Sequence, residues 1–203
     1  MKITTYSMMA NTYLVTDENT KQGFIVDPGS YYQGLTQKVK EEGTEIKYII
    51  LTHGHGDHIG GVEQYRKDFP AAELVAAEAE KDLLADPDAN LSTSITGVSV
   101  SLTADIWVNE GDTLRVGDME LKFTMTPGHT PGGMCILADK VLFSGDTLFR
   151  CSIGRTDLPG GSYDQLTQGV RDRLFVLPDE TRVFPGHMEE TSIGFEKENN
   201  PFV

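Results

Sequence analysis

Three of the chain's five histidines fall within six residues, in the run Thr52-His53-Gly54-His55-Gly56-Asp57-His58. Imidazole nitrogen and carboxylate oxygen are the donors that a borderline divalent cation such as zinc accepts. Residues two apart in an extended segment point to one side, so His53 and His55 face together. Gly54 and Gly56 let the backbone bend sharply. Beyond Gly56, Asp57 and His58 face a second direction, a spacing that fits two adjacent cations better than one. A lone histidine is most often a packed or surface imidazole. Chance scatter does not crowd three of them round an aspartate and two glycines.

The other two histidines repeat the placement. Phe123-Thr124-Met125-Thr126-Pro127-Gly128-His129 is an apolar segment, a turn and a histidine, and Arg182-Val183-Phe184-Pro185-Gly186-His187 is the same. Val141-Leu142-Phe143-Ser144-Gly145 ends on Asp146 instead, and Ile49-Ile50-Leu51 leads into the histidine run. Taken singly, His129 and His187 read more readily as exposed loop residues and Asp146 as a turn cap. Taken jointly, four strand ends each deliver a ligand-type side chain, and strands ending on one rim bring all of them to one cleft.

The elements that must do this are visible in the period of the chain. Strands are expected at 12–16, 23–26, 47–51 and 73–76, rich in β-branched and aromatic residues and bounded by turn signals. Helices are expected at 31–42, stopped by Gly43, at 58–69, stopped by Pro70, and at 78–85. Residues 86–103 are polar without clear period and read as a long loop, a common form for lids. Hairpins are expected at 113–116 with 120–126 and at 134–137 with 141–143. A helix follows at 162–175 with Ser162 as N-cap, then a strand at 181–184. Paired strands with helices outside define the α+β class, two sheets face to face under helix layers.

Composition narrows the function. The 17 Lys+Arg against 31 Asp+Glu leave a net charge of −14, which argues against nucleic acid or an anionic membrane surface as partner. No apolar run approaches the roughly 20 residues of a membrane span, and the first residues lack the apolar core of a signal peptide. Two cysteines, Cys135 and Cys151, are too few for a disulfide framework. The expectation is one domain over 1–203 in a reducing cytoplasm, with a small-molecule substrate and the oligomeric state open.

His53-Gly54-His55-Gly56-Asp57-His58, Gly128-His129, Gly145-Asp146 and Gly186-His187 together resemble the metallo-β-lactamase superfamily, in that order and over nearly the whole chain. The resemblance implies a four-layer αββα sandwich. It implies that His53, His55 and His129 hold one metal, that Asp57, His58 and His187 hold a second, and that Asp146 bridges them. Two divalent ions are expected, zinc first, with iron or manganese as alternatives. Asp57 is expected to ligate and orient rather than act as a free base.

Within the superfamily the chain is similar to the short glyoxalase II-like branch, through Gly145-Asp146-Thr147-Leu148-Phe149 and Gly154-Arg155. The long form adds a helical glutathione-gripping domain, for which Met188 to Val203 is too short. It also has a Lys and a Tyr near positions 155 and 157, where this chain has Arg155 and Asp157. The implied activity is hydrolysis of small acyl thioesters such as lactoylglutathione by a metal-held hydroxide. Arg155-Thr156-Asp157 also resembles the persulfide dioxygenases, which use one iron, here on His53, His129 and Asp146. A lactonase or nuclease of the same superfamily is a lesser alternative.

Arg150 and Arg155 are candidates for a substrate anion, or equally for ion pairs with the abundant acids. Asp27 would orient a ligand histidine or shape a turn. Cys151 reads as a buried bystander, with a place near the metals as the alternative, and Tyr31 and Tyr32 as packing groups that could also reach the cleft.

Overall fold

The structure, a computed structural model, describes all residues from Met1 to Val203. The first sheet has six strands in sequence order: β1 (Lys2–Ser7), β2 (Asn11–Thr16), β3 (Gln22–Val26), β4 (Glu45–Ile50), β5 (Glu73–Ala77) and β6 (Ile106–Val108). Between them run α1 (Gln33–Glu42), α2 (Gly56–Ile59), α3 (Val62–Asp68), α4 (Lys81–Ala85) and α5 (Ser92–Thr96). The second sheet is built from β7 (Thr113–Val116), β8 (Met119–Met125), β9 (Met134–Ala138) and β10 (Val141–Gly145). A small ribbon, β11 (Leu148–Phe149) with β12 (Ser152–Ile153), precedes α6 (Tyr163–Gly169). The chain then adds β13 (Arg182–Pro185), β14 (Thr191–Ser192) and α7 (Ile193–Asn199), and the second sheet reads β14-β13-β10-β9-β8-β7.

Alternation along the strands explains the layers, because successive side chains of a strand point to opposite faces. Tyr13, Val15, Phe24, Val26 and Ile50 of the first sheet meet Phe123, Ile136, Phe143 and Phe184 of the second in one buried cluster. Leu14, Ile25 and Ile49, one residue out of phase, pack outward on Leu35, Val39, Tyr65 and Leu84 of the helices. Cys135, Leu142 and Val183 do the same on the other side with Val170, Leu174 and Ile193. Each fully buried large apolar side chain contributes roughly 1.5–3 kcal/mol. Strands covered on both faces read as continuous apolar runs, which is why Ile49-Ile50-Leu51 stood out.

The αββα architecture agrees with the sequence reading, and the differences are local. The expected helix at 58–69 is two: α2 starts at Gly56, and the chain breaks at Gly60-Gly61 before α3. There Gly61 donates its N–H to Pro28 O at 2.7 Å, and a Cβ on Gly60 would stand 2.6 Å from Gly29 O, so two backbones pass in contact. Ser162 caps α6 as expected, its Oγ accepting from Gln165 N, but the helix widens into a π turn over Val170–Leu174. The 86–103 segment is not all loop, since it carries α5. Edge strand β1, short strand β6 and helix α7 were not anticipated. No helix is long and apolar enough to cross a membrane.

Candidate metal centre

Strand direction sets the site. β8 is antiparallel to β9, β9 to β10, and β10 is parallel to β13, so β8, β10 and β13 all end on one rim. His129, Asp146 and His187 follow those three ends. From the first sheet, β4 runs into His53, and α2 opens on Gly56 with Asp57 and His58 in its first turn. Gly186 is needed where His187 enters, because a Cβ there would lie 2.2 Å from Asp146 Oδ1 and 2.7 Å from His58 Cε1.

The structure gathers six of the seven ligand-type residues into two sets of three, with the seventh, Asp146, beside both. His129 Nε2 lies 2.9 Å from His55 Nδ1 and 3.2 Å from His53 Nε2. His187 Nε2 lies 3.3 Å from Asp57 Oδ2 and 3.4 Å from His58 Nε2, with His58 Nε2 and Asp57 Oδ2 3.8 Å apart. Two donors on one tetrahedral zinc, at bonds of about 2.0–2.1 Å, sit roughly 3.3–3.4 Å apart, so each set is spaced as donors round one cation. Asp146 stands between the sets. Its Oδ1 is 3.3 Å from His58 Nε2, and its Oδ2 is 3.5 Å from both His129 Nε2 and His187 Nε2. Oδ1 is buried with no hydrogen-bond partner. An orphaned buried acceptor is costly, by about 1–3 kcal/mol and more when charged, and a cation at this point removes the cost. The residues present therefore fit two cations sharing Asp146.

A second layer fixes the rings. Asp27 Oδ1 accepts the Thr52 N–H at 2.7 Å, and Oδ2 accepts the Thr52 hydroxyl at 2.6 Å and lies 3.0 Å from His58 Nδ1. Thr52 Oγ1, having donated to Asp27, accepts from His53 Nδ1 at 3.2 Å. His129 Nδ1 donates to the Arg155 carbonyl at 2.8 Å. This network places a proton on Nδ1 of His53, His58 and His129 and turns each Nε2 into the site, with a lone pair there on every ring that is neutral. Asp27 is near His53 and His58 as well, but both its oxygens are spent on Thr52 and His58, so it supports ligands instead of adding one.

Electrostatics divide the two sets. Burial, then the charge of neighbouring imidazoles, pushes His53 well below the usual imidazole range. Burial also takes His55 to about 4 and lowers His129. These rings are neutral at pH 7, the form that binds metal. In the other set burial opposes charge on His58, but Asp146 and Asp27 outweigh it and lift the ring well above that range. The hydrogen bond that His187 donates to Asp57 raises His187. Burial favours protonated Asp57 and Asp146, yet the facing histidines hold both carboxyls below the usual range.

The cleft over the centre measures about 410 Å³. Its lining combines the ligand-type residues His55, Asp57, His129, Asp146 and His187 with apolar groups that include Leu91, Ile95, Phe149 and Met188. Leu91 and Ile95 come from the α5 segment. Arg155 lines the cleft, but its guanidinium forms a fork with Asp157 at 2.7 and 2.9 Å. Arg150 does not line it; its guanidinium lies 4.7 Å from the Phe195 ring centroid, beside a neighbouring depression with Asn11 and Glu190. Cys151, expected to be buried, is exposed and lies outside the lining, as do Tyr31 and Tyr32, and the Tyr31 hydroxyl is bonded to Asp68. The sequence reading did not single out Thr52, Glu80, Leu91 or Ile95. Thr52 adjoins His53, and Leu91 and Ile95 lie in the 86–103 segment read as a lid form; Glu80 had no positional signal.

Two sheets between helix layers, with histidines and aspartates converging on the rim, define a metal-site protein of αββα type. The family model of the metallo-β-lactamase superfamily matches residues 6–187, and the chain belongs to that superfamily of metallo-hydrolases. It is 36% identical to "Hydroxyacylglutathione hydrolase GloC" of Haemophilus influenzae, over 95% of this chain and 92% of that one. It is 37% identical to "Probable metallo-hydrolase YqgX" of Bacillus subtilis, over 97% and 93%. Among solved structures it is similar to BLEG-1 B3 metallo-β-lactamase, with a TM-score of 0.91, 35% identity and 99% of each chain covered. ETHE1 from Myxococcus xanthus aligns with a TM-score of 0.80 and 31% identity, over 99% of this chain and 84% of that one. TTHA1623 in a di-iron-bound form aligns with a TM-score of 0.84, 30% identity and full coverage of both.

Proposed function

We propose that the chain hydrolyses small acyl thioesters, with lactoylglutathione as one substrate, and is weakly selective for the thiol carrier. The observation that carries this reading is a two-set centre joined by Asp146 under a half-apolar cleft whose acids and bases are all ligand-type or already paired. His53, His55 and His129 would hold one ion, Asp57, His58 and His187 the other, with Asp146 shared. Two bound divalent ions, zinc first and iron or manganese as alternatives, lower the pKa of water and polarise a carbonyl oxygen.

The chain's own groups do the rest. Asp57 accepts a hydrogen bond from His187 on the rim and so orients the site without serving as a free base. Leu91, Ile95 and Met188 cover the acyl group and exclude bulk water. All five histidines stand in the centre, so no spare imidazole protonates a leaving group. A thiol, with pKa of about 8.5, leaves as thiolate without that help; an amine does not. The one cationic side chain lining the cleft, Arg155, is engaged by Asp157, which supports weak grip on an anionic carrier. Similarity to the GloC relative favours the same chemistry.

A second reading, a mononuclear iron persulfide dioxygenase, is favoured by Arg155-Thr156-Asp157 and by the likeness to ETHE1. Metal analysis after mild purification, paired with a thioester panel, separates the two. About two ions per chain and comparable turnover of one acyl group on glutathione and on a smaller thiol are expected. One iron, no thioester turnover and oxygen uptake on glutathione persulfide overturn the hydrolase reading.

A further inference from the structure

Glu80 is a buried carboxylate that the proposed chemistry does not use. It follows β5 in a short 3-10 turn, Glu78–Glu80, and is 1% exposed. Its two oxygens go to two different loops. Oε2 accepts the Gly54 N–H at 2.7 Å, and Oε1 accepts the Gly132 N–H at 2.6 Å. Gly54 sits between His53 and His55, and Gly132 lies three residues after His129. The carboxylate thus spans the loop from the first sheet and the loop from the second that carry the three-histidine set. The fit is close on both sides: a Cβ on Gly132 would stand 2.8 Å from Glu80 Cγ, and one on Gly54 would stand 3.1 Å from Oε2. The other set is supported by Asp27, which does not touch Gly54 or Gly132.

We propose that Glu80 is a positioning residue of the three-histidine site, setting the distance of His53 and His55 from His129 by bonding the backbones of both loops. A carboxylate suits the task because both its atoms accept. Glutamine has the same shape, but its NH2 would face one of the two N–H groups, donor against donor, and one loop would be released. The span across which three imidazoles converge at 2.9–3.2 Å would then widen, while the Asp57, His58 and His187 set keeps its own supports.

The test is a Zn2+ titration of the chelator-treated full-length chain against a competing chelator, repeated with Co2+ to follow the shifted imidazole Nδ1–H resonances. Glu80→Gln is expected to lose about 10–100-fold in affinity at one site only, the range for outer supports of metal ligands. The Nδ1–H signals of His53 and His129 should move while that of His58 stays. Gly132→Ala, which keeps the carboxylate but displaces it, should give the same one-sided loss. Glu78→Gln, an exposed change in the same turn, should leave both affinities unaltered. Equal weakening of both sites by Glu80→Gln, or unchanged affinity at both, overturns the proposal. Should Glu80→Gln fail to fold by circular dichroism, Gly132→Ala decides, and amide exchange in the unaltered chain gives a further check. Gly54 and Gly132 must be protected there, and fast exchange at either refutes the bonds. None of these readouts uses a thioester, so the proposal stands or falls apart from the assigned substrate.

Discussion

Asp27→Asn tests the proton assignment at the centre. Asp27 has φ 47, a left-handed backbone that asparagine adopts at least as readily as aspartate, so the substitution adds no strain. Asn Oδ1 can keep the Thr52 N–H. The NH2 then occupies the place of Oδ2, which meets both Thr52 Oγ1 at 2.6 Å and His58 Nδ1 at 3.0 Å. It donates to both. His58 must present a bare Nδ1 and carry its proton on Nε2, and Thr52 now donates to His53 Nδ1, with the same result there. Both rings would aim N–H instead of a lone pair into the centre, one in each set. Zinc affinity should fall about 10–100-fold at both sites. The number of hydrogen bonds is unchanged, so stability without added metal should fall by no more than about 1 kcal/mol. In a chain of this size that is roughly 2–4 °C in Tm. Asp27→Ala removes three acceptor contacts and strains the backbone, and should cost several times more. Calorimetry of the chelator-treated proteins and zinc competition titrations measure both quantities. If Asp27→Asn binds two zinc ions with unaltered affinity, or destabilises as much as Asp27→Ala, the assignment is wrong.

Asp146→Ala is expected to weaken both metal sites and His58→Ala chiefly one, read by metal content after gel filtration; full metal content in Asp146→Ala would remove its shared role. Arg155→Ala should raise KM for a glutathione thioester by less than about tenfold with kcat little changed, because the guanidinium already spends its fork on Asp157 and such exposed pairs contribute little. Asp17 is held down to about 2 by the backbone N–H groups of Asp118 and Asn19, against an ordinary value of 3.8. A depressed carboxyl stabilises above its unfolded value and loses that contribution as pH falls through the folded one. The Tm deficit of Asp17→Ala should therefore be full at pH 6 and shrink between about pH 4 and pH 2; a deficit independent of pH would contradict this.

The sandwich was legible because its strands are buried on both faces and its connecting turns carry Gly, Asp and Asn. β1 escaped because Lys2–Ser7 is a half-exposed edge strand with no apolar run. The break between α2 and α3 escaped because Gly60 and Gly61 answer to the backbone of Pro28 and Gly29, a contact between distant segments. The ligand-type residues stood out by crowding and by the repeated strand-Gly-His ending. Their supports did not. Glu80 looks like any acid in the first turn of a helix, and the Arg155 contribution to His129 is a carbonyl, which every residue has. Arg150 looked like an anion site because a guanidinium fork pairs with carboxylates, while in space it turns to Phe195.

Each ligand set draws from both sheets: His53 and His55 with His129, and Asp57 and His58 with His187. Neither half of the molecule holds a complete set, so an ion bound by either set would act as a clasp across the seam. Binding that requires the joined form stabilises it by RT ln(1 + [M]/Kd), about 1.4 kcal/mol for each tenfold excess of free metal over Kd. Metal supply thereby becomes a variable of the fold as well as of the chemistry. A chain made under metal starvation would be more easily prised open at the rim, exposing the aromatic layer of Tyr13, Phe143 and Phe184 to proteolysis, and cleared before it could act.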